Sequence, residues 1–386
     1  MFILQKNNYR LFIEMINIGV IKAYILKEIT ELVRSKFIIL VYLFPTMVML
    51  LFGYGIRMEV THSRTVILDY DQSKLSYQLV SKFEHSKYFD TTVSYEPENR
   101  ILDRMKQGKV DILIIIPEGF EKRLLKGQKT EIAAFIDASF PLRGVTMQSY
   151  VEGMILNAAS SYLKNIPVKN LIIINHRNLF NQSMRDENAI VPGLLGIILL
   201  VAPAILSALL IVKEKEMGTI FNFYSSPVRK IDFLIAKLLP VFFLHSINIF
   251  ILFLWATYLF KVPFKGSFFI FWLVSEIYVL ISVAIGLLVS VITRTQIVAL
   301  IATIIITVIP GFLYSGILMP ISSMTGEAYI EAHLFPVMYY NHIIYDSFLI
   351  GQGFSSTKNI VYFLIMIGYA ATLLTAGSIL MKKELR

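Results

Sequence analysis

The chain has 386 residues and a formal charge of +9; 56% of it is apolar, only 16% is charged, and cysteine is absent. An ordinary soluble domain carries about 25% charged residues, so the composition excludes a soluble globule, and the missing thiols exclude disulfides and thiolate metal sites. The 28 Phe and 20 Tyr fit rings lying in lipid and at headgroup level, and the positive excess reads as topology-setting loops facing anionic lipid, with no nucleic-acid partner implied.

In chain order, residues 1–36 carry charges throughout and lack the compact apolar core of a cleavable signal peptide. Within them Ile18, Ile21, Ile25, Ile29, Leu32 and Val33 fall near one helical face, with Lys22, Lys27, Glu28, Glu31 and Arg34 elsewhere. That pattern predicts a cytoplasmic amphipathic helix in the membrane interface. About 20 mostly apolar residues are needed to cross the hydrocarbon core. Residues 37–56 meet that condition, and a polar stretch, 57–188, follows. Further apolar runs occupy 189–212, 233–260, 268–292, 296–319 and 360–381. The expected fold is an α-helical membrane protein with six transmembrane helices in a one-plus-five arrangement. A small α/β domain sits between the first and second, and a five-helix transmembrane domain covers 189–386. Residues 333–350 are apolar but broken by Pro336, His342 and Asp346, so the segment 320–351 is expected to be re-entrant and buried by protein.

Lys and Arg near the span ends set the orientation. One side collects Lys22, Lys27, Arg34, Lys36, Lys213, Lys215, Arg229, Lys230, Lys237, Arg294, Lys382, Lys383 and Arg386; the other has only Lys261, Lys265 and Lys358 in its short loops. Both termini are therefore expected in the cytoplasm and 57–188 outside it. In that insert, strands expected at 66–68, 91–95, 110–116 and 131–137 alternate with helices at 75–85, 97–107, 117–125 and 142–164, which predicts a small α/β domain. Gly108 and Gly127 mark helix ends, and Ser73 a helix cap. Asp69, Asp71 and Asp137 stand at strand ends, where turn chemistry is the commoner role than metal binding. His62, His85 and His176 have no ligand spacing, so no catalytic or metal site is expected.

The most unusual segment is 213–232, charged and turn-prone at a cytoplasmic span boundary. Glu214 and Glu216 are carboxylates where positive residues usually prevail; Gly218 and Thr219 permit a turn, Phe221, Phe223 and Tyr224 supply rings, and Ser226-Pro227 ends the short helix expected over 220–224. Polar residues also lie inside the spans. His245 and Asn248 are three apart and share a face, while Glu276 stands alone in the fourth apolar run, each a candidate pathway residue or a helix–helix contact. Pro203 and Pro310-Gly311 are candidate kinks.

Glu214-Lys-Glu216-Met-Gly218-Thr219 followed by Ser226-Pro227, Lys237 and Pro240 resembles the type-2 family of ABC transporter permeases, ABC-2-type exporters with one six-span half-transporter per chain. Ser315-Gly316-Ile-Leu-Met-Pro320, Met324, Leu334-Phe-Pro336 and Gly351 extend the likeness. So do Asp69-Tyr-Asp-Gln-Ser73 and the run from Gly108 to Phe120 in the insert, so it covers essentially the whole chain. Members often have glycine where Ala236 stands, arginine at the place of Tyr345 and lysine at that of Ile350; those departures bear on substrate, not on membership. The resemblance implies that Glu214, Glu216, Gly218, Thr219, Phe221, Ser226 and Pro227 form a coupling helix that docks on a cytoplasmic ABC ATPase. It implies too that Ser315, Gly316, Pro320, Pro336, His342 and Asp346 form an exterior gate or re-entrant element. No Gly-x-x-x-x-Gly-Lys-Ser/Thr phosphate loop occurs in the chain, so this chain is expected to bind no cofactor itself, with ATP and Mg on a separate subunit. The chain would then be a non-enzymatic export subunit of the bacterial inner membrane. A second copy or a paralogous permease would complete the dimer, and a periplasmic adaptor protein is compatible with it. Two rival readings are a proton-coupled secondary transporter using Glu276 and His245, and a non-transporting envelope protein whose exterior domain binds a partner.

Overall fold

The computed structural model describes residues 18–34, 37–56, 60–139, 141–163, 181, 185–226, 228–319 and 321–381. Pro227, Pro320, His176, Lys36, Lys382, Lys383 and Arg386 lie outside them. The chain divides into two compact units, one of Arg57–Arg177 and one of Met1–Ile56 with Asn178–Arg386.

In the larger unit an amphipathic helix, α1 (Ile18–Arg34), precedes an apolar helix, α2 (Phe37–Gly55), that contains Pro45. Proline has no N–H, so the carbonyl four residues back loses its helical donor. That carbonyl belongs to Val41, and the Asn248 side-chain amide donates to it at 2.9 Å.

The smaller unit is an α/β fold. Its elements are β1 (Ser63–Asp69), α3 (Lys74–Glu84), β2 (Phe89–Val93), α4 (Glu98–Lys106), β3 (Ile112–Ile116), α5 (Phe120–Leu125), β4 (Ala133–Ile136) and α6 (Pro141–Leu163). The sheet order is β2-β1-β3-β4, with β1 parallel to β2 and β3, and β4 antiparallel to β3. The apolar run of β3 is explained by burial on both faces. Ile112, Ile114 and Ile116 join a core with Phe83 of α3 and Met147 and Val151 of α6, while Leu113 joins Ile101 of α4 on the other face. Gly108 and Gly127, at φ 67° and 68°, end the preceding helices as expected. The second strand lies two residues earlier than its residue types predict, because Phe89 is the side chain that enters the core. Asp69 and Asp71 carry turn chemistry: Asp69 accepts from the Asp71 and Gln72 amides and the Ser76 hydroxyl, and Asp71 from the Glu121 amide. Ser73 caps α3 in a reciprocal capping box with Ser76. Asp111 holds the start of β3 to β1. It accepts from Arg64 Nε at 2.9 Å, from an Arg64 terminal nitrogen at 2.7 Å and from the Arg64 amide at 2.9 Å, with Arg143 at 3.3 Å. Burial disfavours its charge, but these hydrogen bonds outweigh burial and hold the Asp111 carboxyl below the ordinary range.

The remaining helices rebuild the larger unit: α7 (Asp186–Glu216), α8 (Ile220–Ser225), α9 (Lys230–Leu254), α10 (Phe268–Ile292), α11 (Gln296–Leu313), α12 (Glu327–Leu334), α13 (Pro336–Tyr345) and α14 (Thr357–Leu380). Five described helices are long and apolar enough to cross a membrane: α7, α9 with a π turn to Leu259, α10, α11 and α14. Helix α7 is the centre, packed by α2, α9, α10, α11 and α13. Its contact with α10 is close because Gly286 has no side chain; a Cβ there would overlap the Ala204 carbonyl and the Ser207 hydroxyl. Ser207 and Ser282 then bond across the pair, to the carbonyls of Val283 at 3.0 Å and Leu200 at 2.5 Å.

The apolar run 296–319 does not form one helix. Helix α11 stops at Leu313. Pro310 starts its last turn, Ser315 Oγ donates to the Phe312 carbonyl at 3.1 Å and accepts from the Ile317 amide, and Gly316 takes φ 82°. The segment after it is two short helices, α12 and α13, separated at Phe335, whose extended backbone is what a following proline favours.

Candidate functional site

The charged last turn of α7 resolves into four separate attachments. Successive helical residues are fanned about 100° apart, so Lys213, Glu214, Lys215 and Glu216 point four ways. Lys213 pairs with Glu31 of α1, and its hydrogen bond holds the Glu31 carboxyl below the ordinary range. Glu214 accepts from Lys237 Nζ at 2.5 Å and from Lys27 at 3.2 Å. Lys215 donates to the Ser290 carbonyl and to those of Val291 at 3.2 Å and Thr293 at 3.3 Å, closing the C-terminus of α10. Glu216 accepts from the Gln296 amide at 3.0 Å and side chain at 2.8 Å, at the N-terminus of α11.

Lys237 is the hub. Its side chain is 2% exposed and also reaches Glu28 of α1, itself 1% exposed, at 2.6 Å. Glu28, Glu214, Lys237 and Lys27 balance in charge, and they join α1, the end of α7 and the start of α9. Rings extend the clamp: Phe223 of α8 stacks on Phe233 at 4.1 Å, and Tyr24 of α1 meets Phe233 edge-on at 6.1 Å. Gly218, at φ 73°, turns the chain from α7 into α8. Ser226 ends α8 by donating to the Phe223 carbonyl at 2.8 Å. Ile220 and Phe223 are buried, whereas Met217, Thr219, Phe221 and Asn222 are exposed. The exposed Met217, Thr219, Phe221 and Asn222 are uncharged and lie beside exposed Glu216, and both glutamates are hydrogen-bonded within the chain.

The intramembrane polar residues form two groups. His245 and Asn248 do meet, at 3.2 Å between Nδ1 and Nδ2, and Asn248 also serves the Val41 carbonyl. Glu276 Oε2 accepts from Ser246 at 2.8 Å, one residue along α9 from His245.

Beyond α11, Ser315, Gly316 and His342 line one cavity of about 530 Å³, together with His333, Tyr345 and Lys358. Helix α13 is pinned to α7 through small residues, Asn341 donating to the Gly193 carbonyl at 3.3 Å and the Tyr345 hydroxyl to that of Ala189 at 2.7 Å, and to the segment after α11 by Asn341 donating to the Ser315 carbonyl at 2.7 Å. Pro336 opens α13 and is buried. Asp346 lies apart from the cavity lining; it accepts from the Gly353 amide at 2.7 Å and closes the chain reversal before α14.

A family model described as ABC-2 family transporter protein matches residues 36–379. The chain belongs to the ABC-2 transporter family. Among the similar proteins of this ABC-2 chain, "Probable multidrug ABC transporter permease YbhS" of Escherichia coli strain K12 is 28% identical over 337 residues, covering 86% of this chain and 89% of that protein. "Probable multidrug ABC transporter permease YbhR" of the same strain is 23% identical over 342 residues, covering 88% and 93%. "Inner membrane transport permease YhhJ", also from that strain, is 24% identical over 180 residues, covering 45% of this chain and 46% of its own length.

Sequence reasoning located the segment of this ABC-2 chain that carries the turn but not its bracing. A lysine seven residues into an apolar helix, Lys237, was the available signal, since a buried cation requires carboxylates. Glu28 and Glu214 could have been nominated on that ground.

Proposed function

We propose that this chain is the membrane-spanning permease subunit of an ATP-driven exporter, moving substrate out of the cytoplasm or the inner membrane. In this reading α2 joins α7, α9, α10, α11 and α14 to make six spans. Both termini and the α7–α9 connection face the cytoplasm, and the α/β unit faces the exterior. ATP and Mg bind to a separate ATPase subunit, and a second copy or a paralogue supplies the other half of the pathway. The observation that carries the reading is the exposed surface of Met217, Thr219, Phe221 and Asn222, mounted on a turn whose flanking charges are tied to four parts of the same chain. A rigid mount converts movement of a docked partner into movement of α7, α9, α10 and α11 together. Membership of the ABC-2 family and the permease names of its relatives support the same assignment.

Helix α11 supports the dimer. It buries Ala299, Thr303, Thr307 and Gly311 but exposes Ile297, Ile301, Ile305, Ile309 and Leu313 along its length. We place that face toward the second subunit. Ile317, in contrast, is 4% exposed and stands against Gly193 of its own chain, so a disulfide between subunits is expected in a Leu313→Cys variant and not in an Ile317→Cys variant.

The deciding experiment is affinity purification of the tagged protein in mild detergent. An ATPase subunit should co-purify with the wild type, and Phe221→Ala should lower its yield while the variant melts like the wild type. A well-folded wild-type preparation that never retains an ATPase would refute the assignment.

A further inference from the structure

We propose that the outer face of α9, α10 and α14 carries a second binding site, a groove open to the bilayer that takes a lipophilic organic cation, with Glu276 receiving its charge. The groove has a volume of about 420 Å³, and its lining is almost wholly aliphatic, with Leu234, Leu238, Leu280, Leu287 and Leu374 among the contributors. Helix α10 packs against both α9 and α14, and the groove runs where the three meet. Its size lies within the range of drug-sized ligand sites, about 300–1,000 Å³. An aliphatic groove facing lipid would by itself specify nothing, because acyl chains fill it.

The residue beyond the end of the groove supplies the specificity. Glu276, Leu280, Val283 and Leu287 follow at spacings of four, three and four, so they form one stripe along α10. Ser246 stands one turn beyond Phe242, a groove residue of α9, in the same way. Glu276 is 8% exposed; Oε2 accepts the Ser246 hydroxyl, while Oε1 is buried with no hydrogen-bond partner. Among the described residues no cation lies within ion-pairing distance of it. An ionised carboxylate at membrane depth without a counter-ion is strongly disfavoured. In its ionised form Glu276 would lack one positive charge, and the groove residues Leu280 and Phe242 begin one helical turn from Glu276 and Ser246. A compact, strongly hydrated ammonium loses too much on leaving water; a delocalised cation is weakly hydrated and loses less. The chemistry that fits both features is a delocalised lipophilic cation arriving sideways through the bilayer.

This site requires neither nucleotide nor a partner subunit, so its test is independent of the exporter assignment. The purified chain in nanodiscs of neutral lipid is titrated with tetraphenylphosphonium in the absence of ATP. Saturable binding is expected, with no competition from tetraphenylborate, which has the same shape and the opposite charge. Glu276→Gln keeps size and acceptor and should weaken binding about tenfold or more, the equivalent of one decade in Kd. Leu374→Trp fills the groove and should abolish binding with Glu276 in place. Unchanged affinity in a folded Glu276→Gln protein, equal competition by the anion, or retained binding in Leu374→Trp each overturns the proposal. Should the glutamine variant fail to fold, the tryptophan variant decides alone.

Discussion

Glu214 at the end of the bundle beside α1 and Glu276 within it are both buried carboxylates, and they stand in opposite circumstances. Glu214 shares Lys237 with Glu28, pairs with Lys27 as well, and belongs to a charge-balanced cluster joining three helices. Glu276 has one hydroxyl donor and an oxygen without a partner. Burial alone therefore does not tell what a charged residue is for; its count of partners does. Saturated groups hold elements together, and removing one member leaves the others stranded. An unsaturated group has spare capacity, and removing it disturbs little of the fold.

The contrast is testable as a graded series. Lys237→Ala leaves Glu28 and Glu214 buried without their shared cation and should cost about 3–5 kcal/mol, as breaking buried pairs does. Thermal melting in detergent reads this, and the Lys237→Met, Glu28→Gln, Glu214→Gln triple variant should recover most of the loss. A Lys237→Ala protein that melts like the wild type would break the comparison. Asp111→Ala is next, at about 2 kcal/mol, because it strands the Arg64 amide while Arg64 itself stays half in water. The depressed Asp111 carboxyl also fixes a sign. Its contribution is complete above about pH 4, the ordinary unfolded value, and fades as pH falls through its lower folded value. The wild type should therefore lose its advantage over Asp111→Ala in acid, as followed by proteolysis of the α/β unit.

Gly218→Pro asks whether the bracing serves the turn. Proline cannot adopt φ 73° and would lose the amide bond to the Lys215 carbonyl. Membrane insertion should persist while transport per ATP hydrolysed falls about tenfold, or about 1.4 kcal/mol. Asn248→Ala frees the Val41 carbonyl again and should cost about 1 kcal/mol, in keeping with the modest worth of polar contacts between membrane helices. The smallest change in stability, within about 0.5 kcal/mol, is expected for Glu276→Gln. A loss there as large as that of Lys237→Ala would mean that Glu276 is a saturated structural group after all.

What could be read from the chain beforehand divides along similar lines. Local patterns were legible: the span over 268–292, the doubly buried strand β3, the helix stops at Gly108 and Gly127, and the position of the turn at Gly218. Pairings across long stretches of chain were not. Lys237 meets Glu28 across 209 residues, and Arg64 meets Asp111 across 47. No periodicity announces such partners, because the fold alone brings them together. The end of α11 was misplaced for a different reason. Apolar composition continues to Met319, while the helix ends by backbone chemistry at Ser315 and Gly316, which hydropathy does not record.

The bond from Asn248 to the Val41 carbonyl has a consequence for how the protein is made. The two residues are 207 positions apart. On the six-span reading proposed above, and at about 5–20 residues per second, the first apolar helix would wait roughly 10–40 s in the bilayer with a backbone acceptor that Pro45 has left open. During synthesis α2 would then be a provisional anchor, able to shift or tilt until α9 arrives to lock it. The nascent chain acquires its final seating at the third long helix, well after its first insertion.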